Sequence, residues 1–212
     1  MIAIIDYGLG NLPSVKRAIK KIGYDAIITS DLKIIEEADI LILPGVGSFK
    51  AGMDGLNERN FTDLIKKRVN QGIPILGICL GMQLFFSRGL EFGDHEGLSL
   101  IEGVVKPLLD KTEVNEENYR VPHIGWNSIS IDRDSILTDQ NLIDQQYYFV
   151  HSFYGEITNS ADLVAHTTYG NQKITAIIQK DNIYGTQFHP EKSGKNGLNM
   201  LKNFIETHIT SS

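Results

Sequence analysis

Cysteine is almost absent from this chain: a single residue, Cys79, stands among 212. One cysteine excludes an internal disulfide and a cysteine-rich metal cluster, and a reducing cytoplasm is the expected compartment. Positive charge is scarce too. Twenty Lys and Arg against 26 Asp and Glu give a net charge of −6, which leaves no basic footprint for nucleic acid. No apolar run is long enough to span a bilayer. The opening Met1-Ile2-Ala3-Ile4-Ile5-Asp6 lacks the charged front and long apolar stretch of a signal peptide and reads as a first strand. Internal repeats, low-complexity tracts and long linkers are missing as well. With 42% hydrophobic residues the chain can bury a full core, so residues 1–212 read as one domain.

What is present is an alternation. Strand-forming runs at 2–7, 25–29, 40–43 and 73–78 are separated by helical stretches such as 14–22 and 61–70. That order predicts an α/β fold with a mainly parallel sheet and helices on both faces. The second half is richer in strands, at 103–108, 124–131, 147–153, 163–168, 174–179 and 183–188, some of which add antiparallel neighbours. The tail at 198–205 repeats apolar residues at helical spacing and closes the fold as a helix. In such sheets ligands bind beyond the carboxyl ends of the strands.

Cys79 lies at one of those ends, in Gly77-Ile78-Cys79-Leu80-Gly81 directly after an apolar strand. A nucleophile between two small residues at a strand-to-helix junction forms a nucleophile elbow, a sharp strained turn where flanking side chains would collide. The positive end of the following helix favours thiolate. The Leu80 N–H faces the same point and can stabilise an oxyanion. A lone cysteine in an apolar stretch is more often core packing; the paired glycines weigh the other way.

A thiol nucleophile needs a base. In Phe188-His189-Pro190-Glu191 the proline holds His189 extended, and residues two apart in an extended segment point the same way. Glu191 can then orient the imidazole and stabilise its charged form. His95 and His208 read as solvated surface groups and His166 as a satisfied sheet histidine. His123 and His151 stand in richer settings, and either could serve as base in place of His189. One cysteine with scattered histidines offers no metal-ligand spacing, so neither metal nor cofactor is expected.

Two glycine loops follow strands. Gly8-Leu9-Gly10-Asn11-Leu12-Pro13 puts proline where a dinucleotide fingerprint needs its third glycine. It reads instead as a helix start, with Asn11 near the N-cap. Pro44-Gly45-Val46-Gly47-Ser48 ends on the Cys79 side of the sheet, and Val46 or Gly47 is the candidate second oxyanion donor beside Leu80.

These blocks, with Pro122-His123-Ile124-Gly125-Trp126-Asn127 and Tyr148-Phe149-Val150-His151-Ser152, resemble class I (triad) glutamine amidotransferases nearly end to end. Among these, the pattern is most similar to the glutaminase subunits of imidazole glycerol phosphate synthases. The resemblance implies that Cys79 attacks the side-chain amide of glutamine, His189 moves the proton and Glu191 orients His189. It implies that Gly45, Gln83, Glu91 and the Ser152-Phe153 backbone hold the substrate, although the segment 87–96 departs from the usual family sequence. It further implies that Asn11, Trp126, Tyr148 and Lys192 face a (β/α)8-barrel cyclase in a heterodimer. The resemblance implies that such a cyclase uses the released ammonia in histidine biosynthesis, and the 44–47 loop is expected to be a switch that keeps glutaminase activity low until the loaded cyclase docks. A paralogous subunit feeding ammonia to a sugar-modifying synthase of surface-polysaccharide assembly would carry nearly the same motifs. A silent regulatory subunit and an independent thiol hydrolase are the remaining alternatives.

Overall fold

The computed structural model describes residues 1–109, 119–138 and 145–209. In chain order the first half contains β1 (Ile2–Ile5), α1 (Leu12–Lys21), β2 (Ala26–Thr29), α2 (Leu32–Glu37), β3 (Ile40–Gly45), α3 (Phe49–Glu58), α4 (Phe61–Asn70), β4 (Ile75–Cys79) and α5 (Leu80–Gln83). There follow β5 (Phe86–Gly89), β6 (His95–Glu96), β7 (Ile101–Pro107), β8 (His123–Ser128), β9 (Ser130–Ile131), β10 (Gln146–His151) and β11 (Phe153–Ile157). The chain closes with β12 (Leu163–Tyr169), β13 (Gln172–Lys180), β14 (Ile183–Thr186) and α6 (Gly194–His208).

The central sheet has the order β2-β1-β3-β4-β14-β13-β12-β9. Its strands are parallel from β2 to β14 and antiparallel from there to β9. Every residue of β1, β3 and β4 is buried, as expected of strands covered on both faces. Alternate side chains feed two cores. Ile4, Ile42, Leu76 and Ile78 pack with Val15 and Ile19 of α1 and Leu201 and Phe204 of α6. Ile5, Leu41, Leu43 and Ile75 pack with Leu56 of α3 and Phe61 and Ile65 of α4. That period of two in the strands and three to four in the helices makes the layered sandwich.

Two smaller sheets accompany the central one. β11, β7, β5 and β6 form a four-stranded sheet, and β8 pairs with β10 in a separate ribbon. The predicted strand 147–153 therefore divides at Ser152 into β10 and β11, which belong to different sheets. Likewise the run 124–131 divides into β8 and β9. α2, α3, β5 and β6 are additional to the elements that the sequence predicts by residue range. No helix among the described residues is long and apolar enough to cross a membrane.

Candidate active site

Cys79 ends β4 with φ +55° and ψ −111°, a backbone conformation that L side chains rarely adopt. The glycines around it are obligatory for space. A Cβ on Gly77 would strike the Met82 backbone and the Phe85 ring, and one on Gly81 would strike the Leu43 carbonyl. The elbow of the sequence reading is therefore present, but the helix behind it is one turn, Leu80–Gln83. The expected helix dipole shrinks accordingly to the few N–H groups of that turn.

β14 runs parallel to β4, with Thr186 opposite Ile78, so the segment after β14 emerges beside the sulfur. There His189 Nδ1 lies 2.8 Å from Glu191 Oε1, with both side chains no more than 2% exposed. Nε2 of His189 is buried and makes no well-formed hydrogen bond among the described residues. Burial disfavours the imidazolium, but interaction with the Cys79 and Glu191 side chains outweighs it and pushes His189 up to about 10. The ring is thus held as a proton donor beside a sulfur.

The pocket in front of Cys79 encloses about 290 Å³. Of the sequence candidates, Val46, Gly47, Leu80, Gln83, Glu91, Ser152 and Phe153 line it. Gly47 has φ +116°, open to glycine alone. Gly45 lies outside the pocket lining, where a Cβ would collide with the Tyr7 hydroxyl, the Gly81 backbone nitrogen and the Leu80 Cβ. Its part in the site is to let β3 and the elbow touch. Glu91 reaches the lining and also accepts a 2.7 Å hydrogen bond from the Phe49 N–H at the start of α3, which ties the 87–96 segment to the helix that follows the 44–47 loop.

Three of the four residues read as partner-facing, Trp126, Tyr148 and Lys192, come together at the ribbon. Trp126 is 52% exposed, its ring 6.0 Å from that of Tyr148, and the Lys192 ammonium stands 5.9 Å from the Tyr148 ring centre. Asn11 occupies the N-cap position of α1, yet its side chain makes no capping bond.

His208 and His95 correct the sequence reading, whereas His166 is the satisfied sheet histidine expected. His208 packs on Tyr184 and Phe204 instead of lying in solvent, and burial lowers its pKa. His95 is half-buried, with its Nε2 inaccessible and unpartnered. His166 pairs with Asp132 at 2.6 Å. His151 lines the pocket, but its partners are His123 and the Phe153 carbonyl; no carboxylate among the described residues orients it.

Two participants escaped the sequence reading. Gln187 is fully buried and bridges Gln83, whose Nε2 donates to Gln187 Oε1 at 3.0 Å, to Cys79, whose Sγ lies 3.8 Å from Gln187 Nε2. The alternation that joined His189 to Glu191 extends back to residue 187 and would have found it. The Val150 carbonyl accepts from the Cys79 thiol at 3.7 Å. Nothing in its side chain marks that role. The Tyr7 hydroxyl is buried without a partner, and its pKa is raised first by burial and then by charge at Cys79.

Residues 3–207 match the family model described as glutamine amidotransferase class-I. The chain is 45% identical over 205 residues to the imidazole glycerol phosphate synthase subunit HisH of Lactococcus lactis subsp. lactis, covering 97% of this chain and 98% of that protein. It is 47% identical over 206 residues to the subunit of the same name from Methanothermobacter thermautotrophicus, with coverage of 97% and 98%. Among solved structures, one described as a glutamine amidotransferase superposes with a TM-score of 0.74 at 17% identity, covering 99% of both chains. The Thermotoga maritima PurLQS structure gives 0.73 at 16% identity, covering 97% of both. At those identities the superpositions speak for the fold.

Proposed function

This chain belongs to the class I glutamine amidotransferase family, and from that premise we propose that it is the glutaminase subunit of an imidazole glycerol phosphate synthase. As a family member it is a glutaminase with a thiol nucleophile, and Cys79 is its only cysteine. The observation that carries the finer reading is the 45% identity to a HisH subunit over 97% of this chain; the buried His189–Glu191 pair opening beside the Cys79 elbow supports the chemistry.

In this reading residues 1–212 act as one amidotransferase domain. The Cys79 sulfur attacks the side-chain carbonyl carbon of glutamine after giving its proton to His189 Nε2. Negative charge moves to the amide oxygen, where N–H groups of Leu80 and of Val46 or Gly47 receive it. The tetrahedral intermediate collapses when His189 returns the proton to the nitrogen. The C–N bond breaks, ammonia leaves and a glutamyl thioester remains on Cys79. Water then attacks the thioester with His189 as base, and glutamate and the free thiol are released. Glu191 holds the ring throughout. Gly45, Gln83, Glu91 and the Ser152–Phe153 backbone hold or frame the substrate.

Ammonia released into neutral water is captured as ammonium, which has no lone pair for attack on carbon. A synthase subunit must therefore collect it through a shielded path. The surface around Asn11, Trp126, Tyr148 and Lys192 is the proposed docking face for a (β/α)8-barrel cyclase. The 44–47 loop is the proposed switch that completes the oxyanion hole on docking. No metal or cofactor enters any step.

The test is glutamine hydrolysis by the purified protein alone, with the cyclase, and with the cyclase plus its nucleotide, repeated for Cys79→Ala. Turnover that rises with the loaded cyclase and vanishes in the variant supports the reading. Hydrolysis equally fast without the partner would refute the switch. Failure to restore a histidine auxotroph, with activity toward a sugar-modifying synthase instead, would reassign the pathway.

A further inference from the structure

Two buried histidines that take no part in this chemistry form a hydrogen-bonded pair in the pocket wall. His123 Nδ1 lies 3.1 Å from His151 Nε2, and His151 Nδ1 lies 2.9 Å from the Phe153 carbonyl oxygen. The two rings face each other because His123 and His151 are register partners on β8 and β10. A carbonyl can only accept, so His151 carries its proton on Nδ1 and presents a lone pair at Nε2. His123 must then carry its proton on Nδ1. Burial holds both groups well below the ordinary range, at about 3 for His151 and about 4 for His123. Each ring therefore keeps one proton at neutral pH, as the chain of bonds requires. His123 is further fixed between the rings of Tyr169 and Phe149, at centroid distances of 3.8 and 4.9 Å.

The far end of the chain explains its use. β11 is an edge strand, paired with β7 so that Leu108 N–H bonds the Ser152 carbonyl at 2.9 Å while Phe153 stands opposite Pro107. In an antiparallel ladder bonded and non-bonded pairs alternate, and Phe153 falls on a non-bonded position. Its C=O and N–H both point away from β7. The carbonyl is taken by two side chains, Gln83 Nε2 at 2.8 Å and His151 Nδ1. The N–H, on the same side, is left beside the pocket that Phe153 lines.

We propose that His151, buttressed by His123, is a positioning residue for substrate binding: with Gln83 it fixes the Phe153 peptide so that its N–H serves the carboxylate of the incoming glutamine. The inference rests on the glutaminase reading and deepens it. It assigns the pair to affinity and leaves the chemical step to Cys79 and His189.

The experiment is steady-state glutamine hydrolysis by the full chain in complex with the loaded cyclase, for His151→Asn and His151→Gln. Asparagine places an amide N–H near the position of Nδ1, whereas glutamine places it nearer Nε2. The expected result is a KM within about twofold of the parent for His151→Asn. For His151→Gln, KM rises about tenfold or more while kcat stays within about threefold, on the scale of one lost buried hydrogen bond. Equal losses in both variants, or a fall in kcat at unchanged KM, would overturn the proposal. A parent protein that does not hydrolyse glutamine would instead sink the glutaminase reading. Nitrogen-15 histidine spectra of the unaltered protein provide a variant-free check. His151 is expected as the neutral Nδ1–H tautomer, and an Nε2–H tautomer or an imidazolium at neutral pH contradicts the pair.

Discussion

Gly45 and Cys79 stand directly opposite each other at the carboxyl ends of β3 and β4. That register brings the 44–47 loop to the thiol from one side, while the parallel partner β14 delivers His189 from the other. Contact is so close that neither Gly45 nor Gly81 can carry a side chain without striking backbone.

Gly81→Ala is accordingly expected to destabilise the fold by about 3 kcal/mol or more, since the atom it meets is a strand carbonyl that cannot turn aside. Urea unfolding of the variant against the parent measures it.

The pKa of His189 depends on Glu191. In the parent the imidazolium persists to about 10, so kcat/KM for glutamine should hold across neutral pH and fall on an alkaline limb near that value. Glu191→Gln keeps the acceptor oxygen but removes the charge, and the limb is expected to move to lower pH. A pH–rate profile of both proteins reads the shift.

Stability should respond to pH in two opposed windows. His189 is raised above its ordinary 6.5, so its contribution is complete below that value and is lost as pH climbs toward 10. His123 and His151 are depressed to about 4 and about 3. Their contribution is present above 6.5 and is lost as pH falls through those values, because the unfolded chain binds protons that the folded chain excludes. Each such proton adds a slope of up to about 1.4 kcal/mol per pH unit. His123→Phe, which keeps the stacked ring, should flatten the acid side of the curve in denaturant titrations between pH 4 and about 6.5.

At the proposed docking face, Trp126→Ala is expected to weaken binding of the proposed cyclase partner about ten- to a hundredfold, the range of an exposed aromatic anchor that becomes buried. Calorimetric titration of the two subunits measures it. The thermal midpoint of the isolated chain should hardly move, because the indole is half exposed.

Much of this was legible in the sequence for physical reasons. The parallel half reads well because β1, β3 and β4 are buried throughout and α4 alternates cleanly, with Phe61, Ile65 and Val69 inward. Cys79, His189 and Glu191 could be placed because glycine and proline constrain the backbone around them. Less was visible where one strand serves two sheets. Nothing near Ser152 marks the division of β10 from β11, since the break lies in which neighbours each half pairs with. Backbone contributors are silent for the same reason: the Val150 carbonyl at the thiol and the Phe153 carbonyl shared by Gln83 and His151 carry no side-chain trace. The pairing of His123 with His151 is a matter of register, which becomes visible only once β8 and β10 are aligned.

In the proposed reaction three side chains from two separate stretches act together, Cys79 at the end of one strand and His189 with Glu191 after another, and the most direct measurement is to catch the bond that the thiol forms. Rapid acid quench of the loaded complex with glutamine, followed by peptide mass spectrometry, should find a glutamyl adduct on the Cys79 peptide. The adduct should be absent in Cys79→Ala and slow to form in His189→Ala. Undiminished glutamine hydrolysis in Cys79→Ala, or an adduct on any other residue, would contradict the assignment.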